Sequence, residues 1–259
     1  MKATKQKQKN TTIFLHKLKN IFTPTAPGDF QTLHTDLHAH LLPGLDDGPA
    51  TMEEALDLIR GLVDLGYRRL IATPHVMSDL YPNTIVDIEN KHQQVQRGLR
   101  QAGIDVQLGV AAEYLLDEGF SELLESDRLL PLPGRRLLVE FGFIAAPPNL
   151  HQLLFRLQTK GWRPVIAHPE RYDYYHGDLA AFRKLRERGC RFQVNLLSLT
   201  GYYGGDVQRC AERLLRAGLV DYLGTDAHHQ RHLERLREGV ESGKLGKVVG
   251  KYGFLNAQL

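Results

Sequence analysis

Cysteine is scarce in this sequence: two residues in 259, Cys190 and Cys210. Two thiols cannot build a disulfide framework or a CxxC site, so a reducing cytoplasm is the expected compartment. Long apolar runs are missing as well. None approaches the roughly 18–20 residues that a membrane-spanning helix requires. The amino terminus lacks the apolar core and the small-residue cleavage site of a secretory signal. Acidic residues are absent from residues 1–20, which carry Lys2, Lys5, Lys7, Lys9, Lys17 and Lys19. The net charge of +3 therefore conceals a body of about −3 once those six lysines are set aside. No interleaved basic and aromatic motif accompanies them, which argues against a nucleic-acid partner. The body also has no internal repeat and no low-complexity segment.

A chain that is 42% hydrophobic and 24% charged has ordinary globular composition. Its length suits one large βα domain. Residues 1–30 read as a basic arm and linker, and 31–259 as the folded body. Within the arm, residues 13–22 could form a short amphipathic helix on an anionic membrane surface, or could be a solvated tail.

In the body, short apolar runs alternate with helical patterns. Strands are expected at 33–37, 69–72, 106–111, 137–141, 164–167, 191–195 and 221–224. Helices are expected over 51–65, 84–101, 118–125, 148–159, 179–188, 206–217 and 232–238. Thr51 with Glu54 forms a capping box for the first helix. Such alternation defines an α/β fold of parallel βα units, in an open sheet or a closed barrel.

Six of the seven expected strands deliver a His, Asp or Glu at the carboxyl end. They are His38 and His40, His75, Glu113, Glu140, His168, and Asp226 with His228. Active sites of βα barrels assemble on that face, because the βα loops converge there. In His38-Ala39-His40 both imidazoles can point to one side of an extended chain, and Asp226-Ala227-His228 repeats the geometry. Nitrogen and carboxylate donors without thiolate suit manganese, iron or zinc in a catalytic centre. Asp46 and Asp47 lie in a turn beside the HxH pair; one could be a further ligand and the other a turn cap. His92, His151, His176 and His232 read as surface residues.

The ordered set His38-x-His40, Leu45-Asp46-Asp47-Gly48-Pro49, Thr73-Pro74-His75, Glu113, Glu140, His168-Pro169-Glu170-Arg171 and Asp226-x-His228 resembles the polymerase-and-histidinol-phosphatase (PHP) superfamily. Within it, the chain is similar to the bacterial capsule-regulating protein-tyrosine phosphatases of the CpsB/YwqE type. The resemblance spans about residues 35–237. It implies a single distorted seven-stranded TIM-like barrel, (β/α)7, holding up to three divalent ions, most commonly Mn2+, with iron or zinc as alternatives. It also implies that one ion is held by His38, His40, Glu113 and Asp226. A second would share Glu113 and add Glu140 and His168. A third would use Asp47, His75 and His228. Three such ions and four carboxylates sum to about +2, which suits a phosphomonoester dianion.

The implied reaction is phosphotyrosine hydrolysis by a metal-activated water, without a covalent intermediate. Arg171 matches a phosphate-binding arginine of the family; its alternative role is a surface ion pair with Glu170. The better-known members place a second arginine where this chain has Leu233, and Arg231 is the expected substitute. Ser198, in the segment Asn195-x-x-Ser198-Leu199-Thr200-Gly201, is the further expected substrate-binding residue. The implied partner is a phosphotyrosine protein, a membrane tyrosine autokinase of polysaccharide export. Cys210 and Arg216 satisfy the Cys-x5-Arg spacing of thiol phosphatases, but strong helix formers separate them, so Cys210 is expected to pack in a helix. The rival functions are histidinol-phosphate hydrolysis, an amidohydrolase, a polymerase-associated exonuclease, and a metal-bound regulatory module without turnover.

Overall fold

The structure, a computed structural model, describes residues 30–259. The lysine-rich segment and the helix considered at 13–22 lie outside the described residues. Phe30, placed at the end of the arm by its sequence, belongs to the body: it is buried, its ring 5.2 Å from that of Tyr67.

Among the described residues, nine strands form two parallel sheets. The first contains β1 (Thr35–Ala39), β2 (Arg69–Ala72) and β4 (Gln107–Val110), in the order β1-β2-β4. The second runs β3 (His75–Val76), β5 (Glu113–Leu115), β6 (Arg136–Glu140), β7 (Arg163–Ala167), β8 (Arg191–Asn195) and β9 (Tyr222–Gly224). All seven expected strands are present. The two additional ones, β3 and β5, continue β2 and β4 after short interruptions at Thr73-Pro74 and Ala111-Ala112. Pro74 has no N–H to donate, which favours a break in the ladder there.

The α/β fold of parallel strands is as expected, and in place of one seven-stranded distorted barrel the described residues form two parallel sheets, not a closed barrel. Among the described residues, β1 and β9 meet through one isolated parallel bridge, Ala39 to Ala227. The sheets nevertheless curve around a shared interior. Leu37, Ile71, Leu138, Val165 and Tyr222, from β1, β2, β6, β7 and β9, pack in one cluster, with Leu255 and Leu259 against it. Strands that are not all neighbours touch only if the layers bend toward each other.

The helices pack through a larger core that includes Leu58, Leu62, Leu153, Leu157, Phe182, Leu214 and Leu236. They are α1 (Met52–Asp64), α2 (Ile85–Gln101), α3 (Phe120–Glu125), α4 (Leu150–Thr159), α5 (Leu179–Glu187), α6 (Leu196–Thr200), α7 (Gly205–Arg216), α8 (Gln230–Glu241) and α9 (Lys244–Lys251). Thr51 caps α1 and forms the expected box with Glu54; Thr84 and Asp87 do the same for α2. The sequence pattern did not anticipate α6 or α9. The first is a five-residue turn directly after β8, too short for helical periodicity to register. Among the described residues, no helix is long and apolar enough to cross a membrane.

Candidate metal centre

All nine expected ligands converge at the carboxyl ends of the strands. Their donor atoms fall into overlapping groups, each within 4.8 Å: His40, Asp47, His75 and His228; His38, Glu113 and His168; His38, His40 and Asp226; His75, Glu113 and Glu140.

Local backbone geometry produces this convergence. Between Asp36 and Ala39 the register of β1 against β2 shifts, so that Leu37 and His38 stand opposite Ile71 alone. A bulge of this kind re-aims a side chain without ending the strand. Leu37 enters the inner cluster while His38 reaches the centre. His168 and Asp226 adopt left-handed backbone conformations, with φ of 32° and 52°. Non-glycine residues carry strain there, which is characteristic of functional positions. Gly224 supplies space: a Cβ on it would stand 2.9 Å from the Cβ of His38 and 2.7 Å from Nε2 of Gln193.

The ring nitrogens divide their roles consistently. Nδ1 of His38 lies 2.7 Å from Oε1 of Gln193, and Nδ1 of His40 lies 2.7 Å from Oδ2 of Asp46. Nδ1 of His228 is 2.8 Å from the Asp226 carbonyl. With each Nδ1–H donated to an oxygen, each Nε2 presents its lone pair to the centre. This separates the two neighbouring aspartates. Asp46 orients His40 and accepts the backbone N–H of His75 and of Gly48, whereas Asp47 places Oδ1 3.3 Å from Nε2 of His228 and 3.5 Å from Nε2 of His75.

The distances suit a divalent ion. Nε2 of His38 lies 3.2 Å from Oε2 of Glu113, 3.3 Å from Oδ1 of Asp226 and 3.4 Å from Nε2 of His40. His40 completes the set at 3.4 Å from both carboxylates. The two imidazole nitrogens thus stand 3.4 Å from each other and 3.2–3.4 Å from one oxygen of each carboxylate, spacings that donors around one divalent ion have. Beside it, Nδ1 of His75 is 3.2 Å from Oε2 of Glu113 and 3.2 Å from Oε1 of Glu140. All three atoms are buried without a hydrogen-bond partner. Buried lone pairs that face one another in this way are costly unless a cation lies between them. His168 flanks the same space, its Nε2 3.1 Å from Oε1 of Glu113 and 3.7 Å from Oε2 of Glu140. His75 thus borders two subsites, with Nε2 toward Asp47 and Nδ1 toward Glu140.

Electrostatics point the same way. Burial alone would weaken proton binding by His38, but Glu113 and Asp226 outweigh it and raise the pKa. At His75, burial and His40 are overcome by Glu113 and Glu140, and the pKa is pushed up to about 10. Burial opposes ionisation of Glu113 and Asp226 too, yet the surrounding imidazoles hold both well below the carboxylate range. The centre is a trap for positive charge, which protons fill when no metal does.

Arg171 reaches the centre with Nη1 3.1 Å from Oδ2 of Asp226. Its partner is thus Asp226 rather than Glu170, which is buried and accepts hydrogen bonds from the Ser198 hydroxyl (2.7 Å) and the Asn195 N–H (2.9 Å). Two expected substrate contacts are corrected. Ser198 is fully buried behind the cleft as the hydroxyl that holds Glu170. Arg231 is exposed, 5.8 Å from the Tyr202 ring, and does not line the cleft. Leu233 is buried in the core over Gly61, where an added Cβ would meet its side chain at 2.0 Å.

His232 is corrected from a surface residue to a buried one that lines the cleft and accepts the His228 N–H, with its pKa pushed down to about 3 by burial and by His229 and His228. His176 and His92 are also more than surface residues, bonding the carbonyls of Glu170 and Leu108. Gln193 and Asn195 escaped the sequence reading. Asn195 Nδ2 donates to Asp226 Oδ2 at 2.7 Å, and amides carry no metal-ligand signal in sequence. Cys210 lies buried in α7, and burial raises its pKa to about 12, which excludes a thiolate nucleophile near neutral pH.

The cleft over the centre encloses about 360 Å³ and is lined by Asp47, His75, Tyr81, Phe143, Arg171 and Tyr203 among others. The fold and this centre define a parallel α/β protein with clustered His and carboxylate groups that could hold metal. Residues 34–244 match the family described as capsular polysaccharide synthesis, CpsB/CapC, and the chain belongs to that family. It is 31% identical over 195 residues to the tyrosine-protein phosphatase YwqE of Bacillus subtilis, covering 75% of this chain and 77% of that protein. With the tyrosine-protein phosphatase CpsB of Streptococcus pneumoniae it shares 27% identity over 200 residues, or 75% and 82% of the two chains. Among solved structures it superposes on a chain from a set described as YwqE from Bacillus subtilis and CpsB from Streptococcus pneumoniae, unique metal-dependent tyrosine phosphatases. The TM-score is 0.74 at 28% identity, covering 83% of this chain and 90% of that one. A phosphotriesterase homology protein of Escherichia coli shares the fold at 14% identity, with a TM-score of 0.52 and coverage of 92% and 96%.

Proposed function

We propose that this chain is a metal-dependent protein-tyrosine phosphatase without a cysteine nucleophile. The observation that carries the reading is the pair of His38 and His40 Nε2 atoms, 3.4 Å apart and each 3.2–3.4 Å from one oxygen of Glu113 and one of Asp226, beside the Arg171 guanidinium. His38, His40, Glu113 and Asp226 hold one ion, Glu113, Glu140 and His168 a second, and Asp47, His75 and His228 a third, with Mn2+ as the metal. The substrate is a phosphotyrosine segment of a membrane tyrosine autokinase for polysaccharide export. The enzyme acts in the cytoplasm, and the lysine-rich sequence before Phe30 holds it near the membrane.

When bound, divalent ions lower the pKa of a water and polarise the phosphoryl oxygens. The residues of the chain supply position. Gln193, Asp46 and the Asp226 carbonyl fix three imidazoles so that each Nε2 faces inward. Arg171 commits one nitrogen to Asp226, and its remaining donors suit the planar fork that phosphate oxygens require. That cation stabilises the charge that develops on the phosphoryl group in flight. Phenolate is a better leaving group than an alkoxide, so the departing tyrosine needs less help from a general acid.

Phosphate release from a phosphotyrosine peptide, measured beside histidinol phosphate with metal-stripped protein and with added Mn2+, tests this reading. A manganese-dependent preference for the peptide, retained in Cys210→Ser, is the expected result. Preference for histidinol phosphate would keep the centre and overturn the substrate; absence of turnover in both would overturn the reaction.

A further inference from the structure

Two of the large apolar side chains that remain exposed among the described residues, Leu80 and Phe143, line the cleft. Leu80 is 72% exposed and Phe143 48%, and both line it; Ile144, next in the chain to Phe143, is 97% exposed. A centre that served phosphate alone would have no use for an apolar rim. Exposed apolar groups around a charged cleft mark the place where a ligand brings carbon as well as charge.

Phe143 has a second relation to the site. Its ring centroid lies 4.7 Å from the Arg171 guanidinium carbon, and the Tyr203 ring lies 4.4 Å from the same atom. Phe143 also stacks on His168, at 5.9 Å and 20°. The carbon atoms of a phosphate ester engaged by Arg171 therefore have the Phe143 ring within reach. In a phosphotyrosine those atoms are a flat aromatic face; in a phosphoserine they are a single methylene with nothing to stack.

We propose that Phe143, with Leu80 from the loop between β3 and α2, forms the aryl-binding wall of the cleft and selects aromatic over alkyl phosphomonoesters. This rests on the phosphotyrosine reading above. Phe143 is a specificity residue that stacks the phenyl group and contributes nothing to the phosphoryl oxygens, whereas Arg171 serves both substrate types equally.

The test uses the metal-loaded full chain and two non-hydrolysable probes, phenylphosphonate and methylphosphonate, with binding read by calorimetry. In wild type the phenyl compound binds more tightly. In Phe143→Ala its affinity falls on the order of tenfold while methylphosphonate moves by less than about twofold, and Phe143→Tyr restores the difference. Leu80→Ala, which leaves the Arg171 stack intact, lowers phenylphosphonate affinity alone. The kcat/KM ratio of a phosphotyrosine peptide to its phosphoserine twin falls in parallel, through KM. An equal loss for both probes in Phe143→Ala would overturn the proposal, because Phe143 would then act only through Arg171; so would no change in either. If wild type binds neither probe and hydrolyses neither peptide, the phosphatase reading itself has failed, a result distinct from a phosphatase whose aryl preference ignores Phe143.

Discussion

Oδ2 of Asp46 sits 2.7 Å from Nδ1 of His40 and also accepts the backbone N–H of His75 at 3.0 Å, so one buried carboxylate fixes two residues of the centre. Asp46→Ala frees the His40 ring to take the other tautomer. Metal affinity should drop about 10- to 100-fold, the usual effect of losing such an orienting partner. Competition against a chelating dye reads this directly. Unchanged affinity would mean that Asp46 serves only the turn.

Metal removal should be accompanied by proton uptake. His75, pushed to about 10 by Glu113 and Glu140, holds a proton in the metal-free protein that an ion must displace. Titrating Mn2+ into stripped protein in weak buffer at neutral pH should acidify the solution, and affinity should fall as pH falls. At a hundred times its dissociation constant, the metal should also stabilise the fold by roughly 2.7 kcal/mol, visible as a higher melting temperature. A metal that binds without proton release would contradict the charge assignment.

Asp36 is buried beneath the centre, where it accepts from the Thr225 N–H (3.1 Å) and hydroxyl (2.5 Å), and burial raises its pKa from 3.8 to about 6. Between pH 4 and 6, approximately, the unfolded chain has lost this proton and the folded one retains it. Stability from this group is therefore greatest below about pH 4, declines as pH rises, and levels off above about 6, with a cost of roughly 3 kcal/mol. Asp36→Asn keeps an acceptor for Thr225 and removes the titration. The difference in stability between variant and wild type, followed by denaturant unfolding of stripped protein, should grow in favour of the variant from pH 4 to 6. A flat difference would sink the prediction.

Arg171→Ala should lower kcat/KM about 10²- to 10³-fold while metal content stays close to wild type, because Arg171 touches Asp226 but supplies no lone pair to the centre. Arg171→Lys should recover only part of the loss, since an ammonium lacks the planar fork. Metal analysis beside steady-state kinetics separates the two effects; loss of metal in Arg171→Ala would mean that its role is to hold Asp226.

Ser198→Ala should act on stability rather than on substrate. The hydroxyl is buried and donates to Oε1 of Glu170, whose Oε2 already lacks a partner. Losing it should cost about 1–3 kcal/mol of unfolding free energy. KM for a phosphotyrosine peptide should hardly move, and a large rise in KM with unchanged stability would return Ser198 to the substrate.

Much of this protein was legible in one dimension. Parallel βα units follow from the spacing of apolar runs, and each run ends at a turn where the chain exposes its next polar residue. The spacing of His38, His75, Glu113, Glu140, His168 and Asp226 therefore implies a common face, because a parallel sheet carries all its strand ends to the same side. Thr51 and Glu54 fixed the start of α1 by a bond three residues long. Local rules decide such features, and local rules are written in sequence.

Tertiary structure alone decided the rest. The role of Asp46 as against Asp47 depends on which carboxylate His40 meets, and both are equally placed in the turn. Gln193 and Asn195 orient the centre from β8, 155 residues from His38 in the first case, and an amide has no pattern to betray it. That β1 meets β9 only through the Ala39–Ala227 bridge is a matter of how two sheets come together. Burial of Ser198 and exposure of Arg231 depend on which way α6 and α8 turn their faces. Sequence determined what the chain could bring to the centre. Packing determined which atoms face one another there, because distances of about 3 Å between residues far apart in the chain are set only when the core closes.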